Sequence, residues 1–255
     1  MEFTALESQC VVSEEDCARN LKMALARGLP LCKEGSGRKD RLAVVAAGPS
    51  VPDFLDEIGQ ADVIWTVNGA YHYLRSEGIV PHGFVGVDPL PGLAAYVKDG
   101  HPDTDFYISG LCDDSVFEAL KTNKVQLWFP KQDAVPDLQG LPLIQGGTTA
   151  VTRAPFLAKY MGFTDVTLYG VDSSFERSRY CYKDGTYADD SQARVVPVVV
   201  NGEGPFFTEE CLLKQVSQLG VMHHYQTWGV NLKIRCRGLM DAYMRAPMEY
   251  DAFAA

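Results

Sequence analysis

The sequence predicts an α/β fold: a mainly parallel sheet between two layers of helices, with a late β-hairpin and a helical lead-in at the N-terminus. Three observations predict it. From Arg41 to Asp172, short apolar runs alternate with helical patterns, which is the signature of βαβ units with right-handed crossovers. Some of these runs, such as "LAVVAA", are continuously apolar, as strands buried on both faces are. After Asp172 the alternation gives way to a polar, aromatic stretch and then to two runs joined by Asn201-Gly202.

Taken in order, "EEDCARNLKMALARG" has helical apolar spacing and a glycine stop, and "LCKEGSGRKD" reads as a polar linker. Residues 1–40 are therefore expected to be a helical lead-in and linker, either packed on the domain or in contact with a second copy in a homo-oligomer. "LAVVAA" precedes the helix "VPDFLDEIG", "DVIWTVN" precedes "GAYHYLRSEG", and "HGFVGVD" precedes "LPGLAAYVKDG". "TDFYISG" is followed by "DSVFEALKTN", and "KVQLWF" leads through a loop to "LPLIQGG". "TTAVTRAPFLAKYMG" keeps its helical period through Pro155, and "DVTLYGVD" closes the alternating series. "RVVPVVVNGEGPFFT" reads as the hairpin, with Pro197 marking a sheet edge. "TEECLLKQVSQLGVMHHYQTW" is a long helix capped by Thr208, and "GVNLKIRC" is the final strand.

With 46% apolar and 22% charged residues, the composition is that of an ordinary soluble globular chain. The net charge of −10 and the absence of a Lys/Arg stripe speak against nucleic acid as a partner. They leave room for a nucleotide bound through backbone N–H groups and a metal. No apolar run approaches bilayer-spanning length, and the acidic N-terminus lacks a signal-peptide layout, so a cytoplasmic protein away from membranes is expected. Seven scattered cysteines without a C-x-x-C pair argue for reduced, structural thiols.

Ligands of an open parallel sheet bind at the C-terminal strand ends. The residues following the predicted strands are Gly48-Pro49-Ser50, Asn68-Gly69, Asp88-Pro89, Gly146-Gly147-Thr148-Thr149 and Gly170-Val171-Asp172. Gly48 permits close approach, Pro49 fixes φ, and Ser50 suits the N-cap of a helix whose N-terminus would face an anion. Gly146, Gly147, Thr148 and Thr149 repeat that physics, either as a second phosphate cradle or as a plain helix cap. Asn68 offers a donor and an acceptor to a ribose or base edge. Asp88 and Asp172 end apolar strands; on neighbouring strands they would hold a Mg²⁺ that bridges phosphates, and otherwise they cap the turns that follow. Tyr71, Phe175 and Tyr180 are candidates to stack a flat acceptor. There is no P-loop, and no metal spacing among the five histidines.

"VVAAGPSVPDFLDEI", "WTVNGAYHYLRSEGIVPHGFVGVDP", "GGTTAVTRAPFLAKYMGFTDVTLYGVDSSF" and "FFTEECLLKQVSQL" occur in this order. From about Arg41 to about Met240 the chain thereby resembles the 6-hydroxymethylpterin diphosphokinase-like family. The resemblance implies a Rossmann-like three-layer sandwich, with residues 41–255 as one nucleotide-binding transferase domain. It implies transfer of diphosphate from ATP, with Mg²⁺, to a small hydroxymethyl acceptor such as a pterin. The metal and catalytic role would fall to Asp88 and Asp172. The family also shares its Gly-Pro-Ser and Asn turns with bacterial sialyltransferases and motility-associated glycosyltransferases, which implies nucleotide contacts at Gly48, Pro49, Ser50 and Asn68. That relationship leaves two alternatives. One is glycosyl transfer from a CMP- or UDP-linked sugar to a glycan or small-molecule acceptor, with Ser173–Ala193 as a lid and Asp172 or Glu176 as base. The other is a nucleotide-binding module without chemistry. The sialyltransferases use a histidine shortly before the late helix, and "NGEGPFFTEE" contains none.

Overall fold

A computed structural model of the 255-residue chain describes residues 12–131, 140–175, 181, 195–224 and 229–246. The Glu176 and Tyr180 assignments, and nearly all of the expected lid, lie outside these residues. The strands are β1 (Gly35–Val45), β2 (Val63–Val67), β3 (Gly83–Gly86), β4 (Asp105–Ser109), β5 (Lys124–Pro130), β6 (Leu143–Ile144), β7 (Met161–Tyr169), β8 (Val196–Val200), β9 (Glu203–Thr208) and β10 (Asn231–Arg235). Eight of them form one sheet in the order β10-β7-β1-β2-β3-β4-β5-β6, with every neighbouring pair parallel. β8 and β9 form the separate antiparallel hairpin, turned by Asn201 and Gly202, both at positive φ.

Helices cover both faces, so the strands are apolar on both sides. On β1, Leu42 and Val44 face one core with α6 (Ala150–Tyr160), α7 (Glu210–His224) and α8 (Gly238–Arg245). Ala43 and Val45, one residue out of phase, face a core that includes Ile58 of α2 (Leu55–Gly59) and Leu74 of α3 (Ala70–Ser76). A third cluster joins α1 (Glu14–Ala26), α4 (Leu93–Val97) and α5 (Asp114–Ala119) to β4 and β5 around Phe84, Phe106 and Phe129. The lead-in helix therefore packs into this core: Cys17, Leu21 and Ala24 are buried, and Leu31 bridges Leu127 in parallel.

Two local expectations change. Residues 35–40, read as linker, are the first half of β1 and pair with β7 from Gly35↔Met161 onward through two register shifts. Thr208 is not the cap of α7: its hydroxyl donates to Ser173 O at 2.7 Å, and the helix starts after Glu209. Among the described residues no helix is long and apolar enough to cross a membrane, and none of the described cysteines is disulfide-bonded.

Candidate functional site

A cavity of about 230 Å³ opens at the C-terminal ends of β1, β2 and β7. Ala46, Ala47, Gly48 and Pro49 form one wall, with Val67 and Asn68 beside them. The first turn of α6 (Thr149, Ala150, Val151) closes a second side. Ser173, Ser174 and Phe175, arriving from β7, complete it with Glu209, Cys211, Leu212 and Gln215 from the start of α7 and with Tyr96 from α4.

Gly48 is required here by close approach. Its N–H donates to Gly170 O at 2.9 Å, and a Cβ would lie 2.3 Å from that oxygen and 2.1 Å from Asp172 Oδ2. Ser50 does not cap a helix. It sits in the right-handed region with no capping bond, its buried hydroxyl reaches no partner at hydrogen-bond geometry among the described residues, and only a 3₁₀ turn follows at Val51–Phe54. Nor can this turn cradle a phosphate. Ser50 N donates to Asp172 Oδ2 (3.2 Å), Val51 N to Gly48 O (3.2 Å) and Asp53 N to Ser50 O (3.0 Å), while Pro49 and Pro52 have no N–H. The turn shapes the cavity wall, and none of the N–H groups of Gly48, Ser50 and Val51 is left free.

The second glycine turn is built the other way. Thr149 caps α6 with Thr152 in a reciprocal capping box, so Thr149 N and Thr152 N are both satisfied by side chains. Thr148 N and its hydroxyl donate to Gln218 Oε1, and Thr149 Oγ1 donates to Gln215 Oε1, so α7 holds the turn from outside. The N–H groups of Ala150 and Val151, at the first two helical positions, have no acceptor among the described residues, and both residues line the cavity. They face it from the positive end of an 11-residue helix.

Asn68 holds a positive φ of 50° at the end of β2, is exposed, and makes no side-chain hydrogen bond among the described residues. Of the expected nucleotide contacts, Gly48, Pro49, Asn68 and Thr149 therefore meet in one cavity; Ser50, Gly146, Gly147 and Thr148 do not line it. Tyr71 is fully buried in the aromatic core, whereas Phe175 does line the cavity.

Asp88 and Asp172 do not come together. β3 and β7 are separated in the sheet by β1 and β2, three interstrand steps or about 14 Å, well beyond the reach of one Mg²⁺. Asp88 Oδ1 accepts the Leu90 N–H in a local turn (2.9 Å). Asp172 is 2% exposed and ties two segments: Oδ2 takes Ser50 N, and Oδ1 takes Arg237 N at 2.7 Å. Burial raises its carboxyl above the ordinary range, against the lowering effect of these bonds. Among the described residues no three His, Cys, Asp or Glu side chains cluster to hold a metal, so the expected protein-held Mg²⁺ pair does not fit.

Sequence reasoning passed over Tyr96, Glu209 and Gln215. The available signal was Glu209, which stands in the same short stretch before the late helix where a histidine was sought.

The model of the 6-hydroxymethylpterin diphosphokinase MptE-like family matches residues 16–178. No curated protein gives a significant match. Among solved structures, the MAf glycosyltransferase from Magnetospirillum magneticum AMB-1 has the same fold, with a TM-score of 0.63 at 21% identity. The likeness covers 92% of this chain and 39% of that protein, so the chain spans well under half of its length.

Proposed function

The chain belongs to the 6-hydroxymethylpterin diphosphokinase MptE-like family, and from that premise we propose a transferase that holds a nucleotide donor in the cavity over β1, β2 and β7 and passes part of it to a hydroxyl-bearing acceptor. The observation that carries this is the convergence in one cavity of the Asn68 amide, suited to a ribose or base edge, and the unbonded Ala150 and Val151 N–H groups, suited to a phosphate. The donor's phosphate end belongs at α6, and Gly48-Pro49 is the wall against which its nucleoside packs. Phe175 and Tyr96 give the acceptor side its aromatic surface.

Two donors fit this frame. The family description supports diphosphate transfer from ATP to a small hydroxymethyl acceptor. Glycosyl transfer from a CMP- or UDP-linked sugar is favoured by charge: among the described residues no Lys, Arg or His lines the cavity, which suits a less highly charged donor than a triphosphate. Calorimetric titration with ATP, CTP, CMP and UDP, each with and without Mg²⁺, tests the proposal. Metal-dependent preference for ATP selects diphosphate transfer, and metal-independent preference for CMP or UDP selects glycosyl transfer. Binding of none of them overturns the nucleotide reading.

A further inference from the structure

We propose that Glu209 is the general base of this cavity, taking the proton of the acceptor hydroxyl as that oxygen attacks the donor; this rests on the transferase function proposed above. Among the described residues Glu209 is the one carboxylate on the cavity wall, and none of the described wall residues is a histidine or a lysine. Of the other candidates, Asp172 accepts a backbone N–H on each oxygen, Asp88 serves a turn away from the cavity, and Glu176 lies outside the described residues.

The backbone around Glu209 is fixed. Just before it, Thr208 Oγ1 donates to Ser173 O (2.7 Å), and Phe207 O accepts from Phe175 N (2.7 Å). Just after it, Leu212 N and Leu213 N both donate to Glu209 O at 3.0 Å, starting α7. One turn on, Gln215 Nε2 donates to Ser173 Oγ (3.0 Å) while its Oε1 accepts from Thr149. The junction of β9 and α7 is thus tied to Ser173 and Thr149, themselves cavity residues. The Glu209 carboxylate accepts the Cys211 thiol at 3.2 Å, and the residue is half-buried, so it is positioned by protein and still reached by an acceptor.

In the step, the acceptor O–H proton passes to Glu209. The acceptor oxygen bonds to the electrophilic atom of the donor, phosphorus or anomeric carbon. The bond from that atom to the nucleotide's bridging oxygen breaks, and its electron pair leaves on the nucleotide phosphate. Glu209 then returns the proton to solvent, and nothing is oxidised or reduced.

The test uses the full chain with water as acceptor, following AMP release from ATP with Mg²⁺, CMP release from a CMP-linked sugar and UDP release from a UDP-linked sugar. For the donor that the wild type cleaves, Glu209→Gln should slow single-turnover release by about 10²–10⁴-fold, with nucleotide Kd changed by no more than about twofold. Glu209→Asp should retain part of the rate, and formate should restore part of it to Glu209→Ala. A Glu209→Gln rate within about threefold of wild type overturns the base, as does a loss matched by an equal loss of nucleotide binding. Wild type that binds a nucleotide and cleaves no donor overturns the base while the binding reading stands. Wild type that binds none overturns both.

Discussion

Gly48-Pro49-Ser50 and Gly146-Gly147-Thr148-Thr149 look alike in sequence, each a glycine, a hydroxyl and then a helix, yet the fold builds them in opposite ways. At the first turn the protein's own acceptors take the N–H groups of Gly48, Ser50 and Val51, and the helix that follows is a four-residue 3₁₀ turn. At the second, side chains satisfy the cap and leave the Ala150 and Val151 N–H groups to the cavity at the head of an 11-residue helix. The neighbours cause the difference. β1 and β7 are paired, and the chain leaving β7 presses Gly170 and Asp172 against Gly48; the second turn is held by the glutamines of α7 and lies against side chains of α6. A glycine–hydroxyl turn offers donors to an anion when side chains, rather than the adjacent strand's backbone, hold it.

The contrast breaks most sharply at Gly48. A Cβ there meets a backbone oxygen, Gly170 O, at 2.3 Å as well as the buried Asp172 carboxylate, so relief requires moving β1 against β7. Gly48→Ala should cost about 3 kcal/mol or more, at or above the upper end of ordinary overpacking. Urea denaturation measures this, and a loss below about 1 kcal/mol would mean that the turn is not held between the two strands as described.

Next in size is Asp172→Asn. An amide accepts through one atom only, so either Ser50 N or Arg237 N loses its partner in the interior, at about 1–3 kcal/mol. The sign of the pH effect follows from burial, which raises the Asp172 carboxyl in the folded state. A carboxyl that holds its proton more tightly folded than unfolded contributes most below the unfolded value of 3.8, and that contribution falls as pH rises toward the folded value. The asparagine carries no such proton, so the stability gap between wild type and variant should narrow as pH rises above the unfolded value of 3.8. A gap that widens over this range would contradict the buried, raised carboxyl.

Why the sequence showed some of this and not the rest follows from the same contacts. Strands covered on both faces, such as Leu42–Val45 and Val63–Val67, are necessarily apolar and stand out. Gly35–Asp40 is strand as well, but its residues are exposed or half-buried, so it reads as a polar linker until Met161 and Phe163 are seen beside it. Gly48, Asn68 and Thr149 reach the site because every β-strand of a parallel sheet delivers its C-terminal end to one edge. Strand order is not written in that pattern: the order β7-β1-β2-β3 separates Asp88 from Asp172. Glu209 and Gln215 enter the cavity only because the hairpin docks through Thr208 on Ser173, a long-range contact with no local signature.

Gly147 sharpens the comparison at its quiet end. A Cβ there would also fall 2.1 Å from an oxygen, but that oxygen is the tip of Gln218, and the next atom, Thr152 Oγ1 at 2.6 Å, is a side chain too. Gln218 can swing away and give up its bonds from Thr148 N and Oγ1, so Gly147→Ala should cost only about 1 kcal/mol despite a contact as short as the one at Gly48. Because the cost is the displacement of Gln218, removing that side chain first should remove most of it. In a double-mutant cycle with Gln218→Ala, the pair should cost less than the sum of the singles by about 0.5 kcal/mol or more. Additive losses would mean that Thr152, and with it the capping box of α6, takes the strain. In that case the turn would be as rigid as the one at Gly48, and the N–H groups of Ala150 and Val151 would owe their placement to the backbone rather than to α7.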